Sequence, residues 1–174
     1  MNLVLLSPIW LVAILIIVLA IAAVEDVVRL RISNLTCIAV FVGAIAAMAL
    51  HGLGIVLWQN VMVFAFILTI GTAAFAAGWL GGGDVKLLAA IGLWLNFSTA
   101  LSVMVAILIA GGVLGLLFLL ARVVRRSTEP NDRRSKVPYG LAIVGGALFV
   151  FGAQFTQHPS DRLMDRLGVT SARR

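Results

Sequence analysis

Ahead of Glu129, the acidic side chains of this chain are Glu25, Asp26 and Asp84, each set in or beside an apolar run. A carboxylate in such surroundings is costly and marks a functional site more readily than a structural one. Two carboxylates held at one depth in a water-poor setting cannot both ionise cheaply, so they tend to share a proton. One member can then act as general base and the other as general acid. Asp84 follows Gly81-Gly82-Gly83, and consecutive glycines leave the backbone free to unwind beside it.

Each residue also has a plainer role. Asp84 can cap the helix expected to begin at Val85, and Asp26 can pair with Arg29 three residues on. Glu25 points away from Asp26 on a helix and reads as an interfacial or supporting group. Lys86 anchors a helix end. The pairs Gly78/Gly82 and Gly111/Gly115 fit small-residue helix packing. Cys37 lies in an apolar stretch as a small buried hydrophobe, and a single cysteine builds neither a disulfide framework nor a four-cysteine zinc site.

The elements that must position these groups are membrane helices. With 62% hydrophobic and 11% charged residues in 174, and a mean hydropathy of +1.13, polar surface is too scarce for a water-soluble globule. The expectation is an all-α polytopic membrane helix bundle of about six transmembrane helices, with a domain over residues 1–156 and a tail over 157–174. The net charge of +6 sits in short loops flanking apolar spans, which suits anionic lipid and excludes nucleic acid as the expected partner.

Apolar runs extend from Leu5 to Val24, Leu35 to Leu50, Ile55 to Trp79, Val85 to Leu95, Thr99 to Ala121 and Tyr139 to Phe155. The fourth is short against the roughly 20 residues a bilayer requires, and the glycines and Asp84 can extend it at its start. Fusing it with the fifth would give a helix about 54 Å long, and Asn96-Phe97-Ser98 supplies a turn instead. Ala20 to Ala23 resembles a signal cleavage region, but nothing basic precedes the run, so it reads as a retained first span. Arg29, Arg31, Lys86 and the basic run from Arg122 to Lys136 mark the cytoplasmic side, since the loops near His51 and Asn96 carry no Lys or Arg. Both termini are then external, although the tail carries Arg162, Arg166, Arg173 and Arg174. Trp10, Trp58 and Trp94 are expected at the outer interface and Trp79 at the inner one.

Parity has a chemical consequence. Span one runs inward to Asp26, span two returns outward, span three comes back, and Asp84 follows it. Both aspartates therefore lie at the cytoplasmic boundary, where a shared proton permits aspartic-protease chemistry without a metal or other cofactor.

Gly81-Gly82-Gly83-Asp84 with Val85-Lys86-Leu87-Leu88 resembles the GxGD signature of the prepilin peptidases. The stretch from Asp26 to Asn34 is similar to that family's first-aspartate segment, and Lys136-Val137-Pro138-Tyr139-Gly140 to the loop opening its last helix. The resemblance implies a catalytic pair of Asp26 and Asp84, an active-site loop including Gly81, Gly83 and Lys86, and structural support from Asn34, Pro138, Tyr139 and Gly140. It implies an enzyme of the bacterial inner membrane, its site facing the cytoplasm, removing the basic leader of a pilin or pseudopilin precursor. Ser33 stands where the family often has Pro; Ser33 or Asn34 can still cap the next helix. The layout resembles the short Flp or Tad-type peptidases, without the tetracysteine region that accompanies methylation in longer members. The alternatives are a small proton-coupled transporter, for which no inverted repeat is visible, and a non-catalytic pilus-assembly subunit.

Overall fold

The computed structural model describes residues 2–52, 57–125 and 139–157. Among these the elements are helices: α1 (Leu3–Leu6), α2 (Ile9–Arg29), α3 (Asn34–His51), α4 (Trp58–Ala76), α5 (Gly82–Gly92), α6 (Phe97–Arg125) and α7 (Tyr139–Gln157). Of these, α2, α3, α4, α6 and α7 are long and apolar enough to cross a membrane. The chain is a multi-pass, all-α membrane bundle.

Local chemistry sets the boundaries. Helix α2 follows Pro8, whose fixed φ suits a helix entry, and runs through Asp26 to Arg29, beyond the expected end at Val24. It stops at Leu30, a non-glycine residue in the left-handed region at φ 52, whose N–H donates to the Asp26 carbonyl at 2.9 Å. That conformation costs about 1–2 kcal/mol, so the contacts across the following turn must hold it. Ser33 caps α3, its Oγ accepting from the Leu35 amide at 3.2 Å, so of the two residues expected to cap this helix it is Ser33 that does so.

The third apolar run ends as a helix at Ala76 rather than Trp79. The Gly78 amide donates to Phe75 O and the Trp79 amide to Ala74 O, both at 2.9 Å, with Gly78 at φ 76. This is a Schellman termination, which needs a residue tolerant of positive φ. Gly78 therefore ends a helix instead of packing two together, and a Cβ there would meet nothing within 4 Å. Gly115 likewise faces open space; the close approach of α6 and α7 occurs at Gly146, where a Cβ would stand 2.7 Å from the Ile107 nitrogen.

Helix α5 begins at Gly82, so the glycines and Asp84 extend the fourth apolar run at its start, and its eleven residues span about 16 Å. It lies inside the bundle, with Val85, Leu87, Ala89, Ala90 and Ile91 all buried. It runs antiparallel to α4: a Cβ on Gly71 would meet Val85 and one on Gly92 would meet Ile67 and Val63, while Asn60 Nδ2 donates to Leu93 O at 3.1 Å. Around it the core joins Leu15 and Leu19 of α2, Val40 and Ala44 of α3, and Val144, Ala147 and Phe151 of α7. The outward faces are apolar too, with Ile17, Phe66, Leu108 and Phe149 exposed, as for a bundle solvated by lipid.

Trp94 departs from its expected interfacial place. It is 1% exposed, its Nε1 donates to Val40 O at 3.1 Å, and the ring lies against Gly43. The residues before α2 explain this: Leu3 and Val4 are fully buried, and the Leu3 amide donates to Trp94 O at 3.0 Å. Asn2 Nδ2 adds bonds to Gln154 Oε1 at 2.7 Å and Thr99 Oγ1 at 3.3 Å. This segment closes over Trp94 at the end of the bundle where α5 finishes and α6 starts. Trp10, Trp58 and Trp79 are exposed. The basic residues expected in the loop from Arg126 to Pro138, and the tail from His158, lie outside the described residues.

Candidate active site

At the opposite end of the bundle, the last turn of α2 meets the first turns of α3, α5 and α7. Asp26 comes from α2 and is 5% exposed. Its Oδ2 accepts from the Leu141 amide at 3.2 Å, with the Gly140 amide alongside. These are free N–H groups of the first turn of α7, a natural seat for a carboxylate. A Cβ on Gly140 would stand 2.8 Å from Asp26 Oδ2 and from Ile32 Cδ1, so this site requires the bare backbone. Tyr139 opens α7 with an exposed side chain, and Pro138 lies outside the described residues.

Asp84 occupies the third position of α5, and its carboxylate reaches back to the amide of Gly81, the N-cap. That is the acidic half of a capping box. Asp84 therefore serves its own helix, through the Gly81 amide rather than through amides of a first turn beginning at Val85. Asp84 lies outside the five helices long enough to cross a membrane. Its carboxyl is pushed up to about 6, first by burial and then by the charge of Asp26, while the Gly81 amide pulls it back. The two acids, from different helices, share one electrostatic environment.

The glycines before Asp84 work differently from expectation. None of Gly81, Gly82 and Gly83 has positive φ, and the last two are helical. They are small because neighbours come close. A Cβ on Gly81 would lie 2.7 Å from Asp84 Oδ2, and one on Gly83 would lie 3.1 Å from Ile32 Cβ and 3.2 Å from Ile32 O. Ile32 thus touches the surroundings of both aspartates. Its role was hidden in the sequence, where only membership of the first-aspartate segment marked it.

Lys86 is exposed, and its Nζ donates to Asn34 Oδ1 at 2.9 Å, tying the start of α5 to the start of α3. Cys37 is buried, with Sγ 3.7 Å from Gly83 O. Glu25 turns from Asp26 towards α3, where Oε2 accepts from the Ser33 amide at 3.1 Å and from Thr36 Oγ1 at 2.8 Å. Thr36 carried no signal in the sequence, because a threonine within an apolar run is unremarked until its partner is known. Among the described residues no cluster of His, Cys, Asp and Glu suits a metal ion.

No solved structure matches the chain. A prepilin leader peptidase/N-methyltransferase of Xanthomonas campestris pv. campestris is 36% identical over 75 residues, which are 42% of this chain. The chain spans 24% of that relative's length in this match. Residues 13–120, which carry both aspartates, match the type IV leader peptidase family. An acid pair on two helices and a family match covering more than half of the sequence coincide: the chain belongs to the type IV leader peptidase family.

Proposed function

We propose that this protein is a membrane-embedded aspartic endopeptidase that removes the leader peptide of type IV pilin-like precursors, with Asp26 and Asp84 as the reacting pair. The observation that carries this reading is the convergence of the two carboxyls at one end of the bundle, where the charge of Asp26 raises Asp84. Asp26, facing the Leu141 amide, is suited to the ionised role. Asp84, with its raised carboxyl, is suited to hold the shared proton.

In this scheme Asp26 takes a proton from water as the water oxygen bonds to the scissile carbonyl carbon. Asp84 gives its proton to the carbonyl oxygen. Collapse of the tetrahedral intermediate breaks the C–N bond, the proton on Asp26 passes to the departing amine, and the hydroxyl proton of the intermediate returns to Asp84. The substrate is a single apolar helix with a basic leader. The reaction takes place at the cytoplasmic face of the inner membrane. In support of that face, Arg29, Arg31 and Lys86 are exposed at the same end of the bundle as both acids. The relative's printed name also includes an N-methyltransferase, whereas the paired acids of this chain support peptide hydrolysis.

The test is co-expression with a pilin precursor. Asp26→Asn and Asp84→Asn should each accumulate in the membrane and leave the precursor at full length. Normal processing by either variant would refute the pair.

A further inference from the structure

We propose that Glu25 is a positioning residue for the Asp26–Asp84 site, clamping the α2–α3 turn so that Ile32 supports the glycines beside both aspartates. This rests on the reading of Asp26 and Asp84 as the reacting pair. The turn from Leu30 to Ser33 contains a left-handed leucine at φ 52, a conformation that persists only where surrounding contacts hold it. Glu25 spans that turn. Its Oε2 accepts from the backbone N–H of Ser33 and the hydroxyl of Thr36, eight and eleven residues along the chain. Both donors belong to the start of α3, where a helix has unsatisfied N–H groups and favours a carboxylate.

The consequence passes through Ile32, which immediately precedes Ser33. Its backbone and Cβ limit the approach of Gly83, next to Asp84, and its Cδ1 limits that of Gly140, next to the amide that holds Asp26. One clamp thereby sets the seats of two helix N-termini. It also accounts for Ser33. At φ −67 and ψ 141 the backbone there would accept proline, but a prolyl nitrogen has no proton to donate to Glu25.

The experiment uses the full chain purified in detergent with a pilin precursor as substrate, and N-ethylmaleimide as a probe of Cys37. That thiol is buried under the Gly83 carbonyl, so its alkylation rate reports whether the α5 entry is seated, with no need for turnover. Glu25→Ala should lower kcat about tenfold or more, as a small misplacement of reacting groups does, and leave KM within about twofold. It should also speed alkylation of Cys37. Glu25→Gln should restore both readouts, because its amide oxygen can accept the same two bonds. Thr36→Val, which removes one bond, should fall between, and carries the comparison if Glu25→Ala does not accumulate. Wild-type kcat and wild-type alkylation in Glu25→Ala would overturn the proposal, as would a Gln variant as impaired as Ala. A wild-type protein that never cleaves would defeat the peptidase reading, while the alkylation contrast would still decide the clamp.

Discussion

Replacing Asp84 with Asn should abolish cleavage and at the same time stabilise the fold, with a dependence on pH that follows from one number. Burial and the Asp26 charge raise the Asp84 carboxyl from 3.8 to about 6. The folded protein therefore holds this proton more tightly than the unfolded chain. Below pH 3.8 both states are protonated and ionisation of Asp84 costs nothing. Between 3.8 and about 6 the unfolded chain loses the proton first, and stability falls as pH rises; above about 6 the loss is complete. The rise from 3.8 to about 6, at about 1.4 kcal/mol for each pH unit, sets a ceiling of ~3 kcal/mol. Solvent screening at a partly open site reduces this, and about 1–2 kcal/mol is expected. Asn keeps the shape, can still accept from the Gly81 amide, and removes the charge. In detergent at pH 8 its melting temperature should exceed that of the wild type by about 2–8 °C, and near pH 4 the two should converge. An Asn variant less stable than wild type at pH 8, or a difference that does not change with pH, would refute the desolvated-acid argument.

The same raised carboxyl predicts the rate profile: kcat/KM should fall on the alkaline side by about tenfold per unit once Asp84 has lost its proton, and a flat profile from pH 6 to pH 9 would contradict its role as the acid. Gly140→Ala places a methyl 2.8 Å from Asp26 Oδ2 and from Ile32 Cδ1, so it should cost about tenfold or more in kcat with normal accumulation in the membrane, measured as cleaved precursor over time. Gly146→Ala sets a methyl 2.7 Å from the Ile107 backbone nitrogen and should destabilise the α6–α7 contact by about 1–3 kcal/mol, read as a lower melting temperature in detergent.

Much of the fold was legible because lipid imposes a simple rule: a spanning segment must be apolar and long, and it reverses the side of the chain each time. The apolar runs identified α2 to α7, and parity placed Asp26 and Asp84 at one end. Helix ends were less legible where backbone bonding decides them. The Schellman turn at Gly78 cut α4 at Ala76 inside a run that stays apolar to Trp79, whereas the glycines and Asp84 extend the start of α5 as the sequence allowed, with Gly81 as its N-cap.

By itself the sequence determined that this chain is a membrane bundle with isolated acids, because composition, span length and charge-bearing loops are properties of the chain alone. Only the tertiary structure decided what the small and polar residues at the site do. Gly81, Gly83 and Gly140 are needed for the atoms that approach them from Asp84, Ile32 and Asp26, and Trp94 is interior because the residues before α2 fold over it. Glu25 turns to α3 because two donors wait there. Steric approach and hydrogen-bond partnership between distant segments are relations among neighbours, and no residue carries them until its neighbours are in place.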